Sequence, residues 1–320
     1  MKFLQAGKIF LRRLLGRQLP FSVKLTLSES RIQYLSKPGS ISERIPVNIF
    51  LDVIPELKKL GVFKVILEGL SEIPVSESGP LLQELIKNGI TITATSYGCL
   101  LDSLGELRNK LDHVNFLLDG TEEVNDRLFF PGSFSGIIRE METCDTEGIR
   151  FHITTTLNRL NINRLTEIVD LAGIYGTFVG FQPLKHHGIT FLRELEPAKA
   201  EFKNALDQLM MMKTTARSGF IRNSLTGLLH IYSSPDFGKL SCSAGKLFFS
   251  IRSDGKITPC EFSDQSPSDL PSITEQDWVK KIAGLSDMNE YCNGCGFCGE
   301  LETNLFHNGK YLPLLHLGKL

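Results

Sequence analysis

The sequence predicts an α/β protein built on a parallel sheet. Along its first two thirds, short β-branched apolar segments alternate with amphipathic helical ones. Glycine or Asn-Gly stops close most of the helical segments. With 320 residues, 42% of them hydrophobic, the chain can build one large or two modest cores.

Phe21–Leu27 reads as the first strand. Val47–Leu60 is a helix ending at Gly61, and Phe63–Leu67 is the second strand. Pro80–Lys87 is a helix closed by Asn88-Gly89. Ile90–Thr95 is the third strand and Leu100–Leu111 the next helix. His113–Leu118 is the fourth strand, and Phe134–Thr146 a helix stopped at Gly148. Arg150–Leu157 is the fifth strand, Arg164–Tyr175 a helix stopped at Gly176, and Phe178–Pro183 the sixth strand. Helical crossovers between such strands make a parallel sheet, and periodicity leaves partial barrel and open sheet both standing. Leu184–Glu196 reads as a loop, and Lys199–Lys213 as a helix with Leu209, Met210, Met211 and Met212 on or near the core. Leu247–Arg252 and Lys256–Thr258 flank Ser253-Asp254-Gly255, a hairpin signal.

Composition excludes several classes. Lys and Arg number 35 against 36 Asp and Glu, so no global basic field attracts nucleic acid. No run of 18 apolar residues suits a transmembrane helix. Met1–Pro20 has scattered basic residues and no signal-peptide core, so a reducing, cytoplasmic setting is expected. That stretch reads as a basic amphipathic leader helix, packed on the following domain or laid on an anionic membrane.

Cysteines carry the strongest chemical signal. Cys242 and Cys260 bracket the hairpin, whose geometry brings its ends together, and Cys292-x2-Cys295-x2-Cys298 follows. Asn293, Gly294, Gly296 and Gly299 let the backbone curl around an ion or cluster. Thiolates at this spacing hold zinc or an iron–sulfur cluster. Cys99 and Cys144 stand alone and read as small buried residues.

The combined pattern resembles the radical S-adenosylmethionine (SAM) superfamily, in its branch with a C-terminal SPASM or Twitch auxiliary-cluster domain. The residues carrying the resemblance lie in the order the family has them. Gly61–Gly69 is similar to the second strand leading to the SAM-amino motif. Thr95-Ser96-Tyr97-Gly98-Cys99 resembles the stretch after the third strand. Leu117-Leu118-Asp119-Gly120 resembles the one after the fourth, and Asn125-Asp126 with Pro131-Gly132-Ser133-Phe134 the segment that follows. Thr154-Thr155-Thr156-Leu157-Asn158, with Asn161, resembles the end of the fifth strand. Cys242-x12-Gly255-x4-Cys260 resembles the auxiliary domain's opening motif.

The resemblance implies a partial (β/α)6 TIM-like barrel over residues 21–195 behind the leader at 1–20. It also implies a helical linker at 196–239 and an iron–sulfur domain at 240–320. One auxiliary [4Fe–4S] cluster would be held by four of Cys242, Cys260, Cys292, Cys295 and Cys298. The SAM pocket would be lined by Gly69, Glu72, Thr95, Ser96, Gly98, Asp119 and Asn158.

The chain departs from the family at the first strand. Members carry Cys-x3-Cys-x2-Cys in the following loop, for the cluster that cleaves SAM. Here the best register places Ser28, Ile32 and Leu35 there, and no cysteine precedes Cys99. Ile and Leu have no donor atom, and a serine alkoxide is a poor iron ligand. The SAM-amino motif has changed too, with Glu68-Gly69-Leu70-Ser71-Glu72-Ile73-Pro74 in place of Gly-Gly-Glu-Pro.

The expected function is therefore a degenerate member, or pseudoenzyme. It would act as a non-catalytic partner subunit or electron relay that binds a peptide, small molecule or protein. An enzyme of altered chemistry that retains SAM is the alternative, with Glu68, Gln182, Lys185, His186 and His187 among its candidate groups. A zinc-stabilised structural module is the third reading.

Overall fold

The computed structural model describes residues 20–28, 44–184, 190–233, 240–260, 270–285 and 295–310. The leader helix, positions 32 and 35, the Lys185–His187 run and Cys292 lie outside them.

The fold is α/β, a partial TIM-like barrel. Six parallel strands follow one another in space as in sequence: β1 (Ser22–Thr26), β2 (Lys64–Glu68), β3 (Thr91–Ser96), β4 (His113–Leu117), β5 (Arg150–Leu157) and β6 (Val179–Pro183). The helices between them are α1 (Val47–Leu60), α2 (Val75–Lys87), α3 (Leu100–Leu104), α4 (Glu122–Leu128), α5 (Ser133–Glu147) and α6 (Leu165–Ile174). Beyond β6 come α7 (Thr190–Glu194), α8 (Lys199–Met212), α9 (Leu225–Tyr232), the hairpin β7 (Phe248–Ile251) and β8 (Ile257–Thr258), α10 (Trp278–Lys281) and α11 (Cys298–His307).

Strand alternation sorts the side chains. Val23, Leu25, Val65, Leu67, Ile92, Ala94, Val114, Phe116, Ile153, Val179 and Phe181 are sealed in the main core with the helices. Their neighbours along each strand face the lumen: Lys24, Lys64, Glu68, Thr93, Thr95, His113, Asn115, His152, Thr154, Thr156 and Gln182. Many of these stay partly open, so the barrel encloses a polar lumen rather than a packed core.

The sheet does not end at β1. Strand β7 pairs parallel with it, Ser22 opposite Phe248 and Leu25 opposite Ile251, and β8 closes the hairpin antiparallel to β7. The cysteine-bracketed hairpin thus continues the barrel sheet. At the other edge, residues 221–223 cover β6: Arg222 N donates to the Val179 carbonyl at 2.8 Å, and the Asn223 side chain bonds Phe181 N and O at 2.7 and 2.8 Å. This satisfies groups that an open edge would expose.

Local departures from the expected elements have identifiable causes. The helix expected over Leu100–Leu111 breaks at Gly105 and continues as a 3-10 turn through Lys110. Leu184–Glu196, expected as a loop, contains α7, because Leu192 and Leu195 find an apolar cluster to bury in. Of the methionine run, Met212 is buried but Met211 is 69% exposed. Cys144 is a core residue, whereas Cys99 is only half-buried.

Candidate functional site

At the C-terminal mouth of the barrel, the loops after β1, β2 and β3 converge on one carboxylate. Glu72 Oε1 accepts from the Tyr97 hydroxyl at 2.6 Å, and its Oε2 accepts from Ser28 Oγ at 3.0 Å. Burial and the bond to Glu72 hold the Tyr97 phenol well above its ordinary range. Close packing makes this convergence feasible. Gly69 has φ +69°, and a Cβ there would lie 2.3 Å from the Ser28 carbonyl oxygen. Glu68 is engaged as well, bonded to Lys24 Nζ at 2.8 Å.

Of the other residues assigned to the pocket, Ser96, Gly98, Asp119 and Asn158 make contacts within the fold. Ser96 Oγ donates to the buried Glu140 carboxylate and accepts from Gly98 N at 3.0 Å. Gly98 packs on α5, where an added Cβ would lie 2.5 Å from the Ser133 carbonyl oxygen. Asp119 Oδ1 accepts from Thr156 N at 2.6 Å, and its carbonyl from Asn161 Nδ2 at 2.8 Å. Asn158 is fully buried and spends its amide on Thr156 O and Leu160 N. Thr95 faces the lumen and is nearly buried. Over the mouth, Tyr97, Leu128, Phe129, Leu192 and Leu195 form a separate apolar cluster, with the Tyr97 and Phe129 rings stacked at 6.5 Å.

At the opposite, N-terminal end of the lumen lies a basic group that the motif reading missed. Arg222 Nη1 stands 3.1 Å from His152 Nε2, and His152 Nδ1 meets His113 Nε2 at 2.5 Å. A guanidinium only donates, so His152 Nε2 accepts and its Nδ1–H donates to His113. His152 is therefore neutral, and burial with the neighbouring His113, Arg222 and Lys64 pushes its pKa well down. Phe178 stacks on His152 at 5.3 Å and lies under the Arg222 guanidinium. Lys64 shares this space, its pKa brought down to about 8 by burial first and Arg222 second. The signal was the polar residues at alternate positions of strands such as His113–Leu117 and Arg150–Leu157.

The C-terminal cysteines separate into two environments. Burial first, then Glu300 and the Cys260 and Cys242 thiols, push the Cys295 thiol well up. Asn304 Nδ2 lies 3.9 Å from Cys242 Sγ. Asn304 also holds Ser243 N at 2.8 Å, so α11 fixes the segment that carries Cys242. Cys298 opens α11 and points elsewhere: a Cβ on Gly180 of β6 would lie 2.5 Å from its sulfur. Its thiol, pushed up to about 12 by burial, has Arg222, Glu302, Glu300 and Lys213 around it. Among the described residues, no three His, Cys, Asp or Glu side chains form a group able to hold an ion. Cys242 and Cys260 are the thiol neighbours that help raise the Cys295 pKa, and thiolate donors are the chemistry a thiophilic group takes.

Neither the protein-family models nor the curated proteins yield a match to the sequence. Solved structures do share its fold. Streptococcus suis SuiB bound to precursor peptide SuiA matches with TM-score 0.65 and 14% identity, over 86% of this chain and 69% of that one. SuiB bound to S-adenosylmethionine matches at 0.64 and 14%, over 87% and 68%. Native anSMEcpe with bound AdoMet and Cp18Cys peptide matches at 0.60 and 13%, over 93% and 99%. At 13–14% identity, what this chain shares with these neighbours is the fold. No helix among the described residues is long and apolar enough to cross a membrane.

Proposed function

We propose that this chain is a non-catalytic relative of the radical SAM enzymes, a pseudoenzyme that binds a peptide in its barrel lumen. Its auxiliary [4Fe–4S] cluster would be held by Cys242, Cys260, Cys295 and Cys292. The observation carrying the first part is the state of Glu72. In the resemblance drawn above, this carboxylate belongs to the motif that receives the amino group of SAM. Here the chain's own Tyr97 and Ser28 hydroxyls each bond one of its oxygens and compete for it. Ser28 stands where the first cluster thiolate is expected, and a hydroxyl is no substitute for it.

Peptide as the ligand class is supported by two neighbours, whose structures contain a precursor peptide and a Cp18Cys peptide. The separate environment of Cys298 supports its exclusion from the ligand set. A bound cluster would supply one-electron relay and a clamp between the hairpin and the segment before α11.

The test is an anaerobic preparation analysed for iron and incubated with dithionite and SAM. The proposal expects roughly four irons per chain and no 5′-deoxyadenosine above a protein-free control. Catalytic 5′-deoxyadenosine would overturn the pseudoenzyme reading. Stoichiometric zinc without iron would overturn the cluster and favour the structural module.

A further inference from the structure

The structure assigns a second task to the lumen: we propose that its N-terminal floor, formed by Lys64, Arg222 and the His152–His113 pair, binds a carboxylate. This rests on the reading of the lumen as the binding cavity, and adds the chemistry of what is bound.

Three observations carry it. The first is convergence. Lys64 opens β2, His113 opens β4, His152 lies on β5, and Arg222 comes from the segment covering β6. Four separate segments thus bring two cations, Lys64 and Arg222, and the histidine pair that orients Arg222 to one end of the lumen. The second is the state of Lys64. The residue keeps part of its surface exposed, yet its ammonium makes no hydrogen bond or ion pair with any described residue. Burying an ammonium with no carboxylate in hydrogen-bond contact is costly, and burial first and Arg222 second bring its pKa down to about 8.

The third is the balance of charge. Arg222 and Arg150 lower the Lys64 pKa, and Glu300 of α11 opposes them. Arg222 already spends Nη1 on His152 and lies over Phe178, which orients its remaining donors. An aligned guanidinium with an adjacent ammonium suits a planar, two-oxygen anion better than a spherical one. An acidic side chain or a C-terminal carboxylate would both present that group.

The experiment reads the acylation rate of Lys64 by acetic anhydride, using peptide mass spectrometry of the intact full-length protein. Glutarate is the probe, with chloride at equal ionic strength and inorganic phosphate as controls. Glutarate is expected to slow Lys64 labelling by about fivefold or more while leaving the exposed Lys87 unchanged, and to raise the Tm by several degrees. Arg222→Met should remove the protection. Lys64→Met should remove the Tm response while remaining folded, since it deletes a cation whose burial is a cost.

A free-acid tripeptide compared with its amidated form then separates a C-terminal carboxylate from an acidic side chain. Protection that chloride reproduces would overturn the proposal, and stronger protection by phosphate would overturn the carboxylate assignment. A Lys64 that anhydride never reaches would overturn it too, because a lumen closed to that reagent is closed to glutarate. None of these outcomes depends on iron content or SAM cleavage, so this site and the pseudoenzyme reading fail separately.

Discussion

Arg222 donates to His152 across 3.1 Å, and that contact determines how two histidines hold their protons. Because the guanidinium cannot accept, His152 must present a lone pair at Nε2 and a hydrogen at Nδ1. Burial first, and then the neighbouring His113, Arg222 and Lys64, hold the His152 pKa well below the ordinary 6.5.

The first expected outcome is an acid limb in stability. The unfolded chain takes up a proton on this histidine below about pH 6.5, and the folded one does not. Stability should therefore fall as pH drops through that value. Thermal melts of His152→Phe between pH 7.5 and about pH 5 should show a flatter limb than the parent. Parallel curves would mean that another group controls it. The groups facing His152 are His113, Arg222 and Lys64, with Phe178 beneath the ring.

Tyr97→Phe removes one hydroxyl from Glu72 and leaves the ring stacked on Phe129. Losing a hydrogen bond to a carboxylate should cost about 1.5 kcal/mol in urea unfolding. A ring that contributed by packing alone would give no measurable change. If Tyr97 and Ser28 screen Glu72 from the SAM amino group, the double change Ser28→Ala, Tyr97→Phe is the variant in which calorimetric SAM binding should first be detected.

The cysteines give a contrast across the start of α11, Cys295 before it and Cys298 opening it. Cys295→Ala should lose the cluster's iron, while Cys298→Ala should keep it and lose only packing, about 1–2 kcal/mol. Iron analysis and melting on the two variants separate the roles. Iron loss from both would restore Cys298 to the ligand set. Gly180→Ala, whose Cβ meets the Cys298 sulfur, should loosen α11 from β6 and expose the C-terminal region to proteolysis.

Glu302 joins α11 to the start of α9 by accepting from Ser224 N at 2.8 Å, but its other oxygen is buried without a hydrogen-bond partner. Burial raises its pKa above the ordinary 4.5, so the fold favours the protonated form and the ionised form is a cost at neutral pH. Glu302→Gln should therefore raise the Tm at pH 8, with the gain shrinking as pH falls towards 4.5. Glu302→Ala should instead destabilise, since Ser224 N would lose its acceptor. A Gln variant less stable than the parent at pH 8 would contradict this account.

What the sequence determined by itself was the order of strands and their parallel pairing. Alternation such as Val65, Leu67 against Lys64, Glu68 is local, and each strand carries it without reference to the others. The departures in the first-strand loop and at Glu68–Pro74 were legible for the same reason, since a missing thiolate is a fact of composition. The fate of each polar side chain was not. Motif position suggested that Ser96, Asp119 and Asn158 serve a ligand, but a hydrogen-bonding group is used by whichever partner the fold brings near. Here those partners are Glu140, Thr156 and Leu160.

Only the tertiary structure could decide that β7 would pair with β1, that Cys298 would turn to Gly180, and that Tyr97 would close on Glu72. It likewise placed Lys64, His113, His152 and Arg222 together. They lie up to 158 positions apart in sequence (222 − 64) and meet because parallel strands align their N-terminal ends at one rim. Sequence periodicity states which face a residue occupies. Which residues share a space depends on closure of the barrel, a property of the whole sheet.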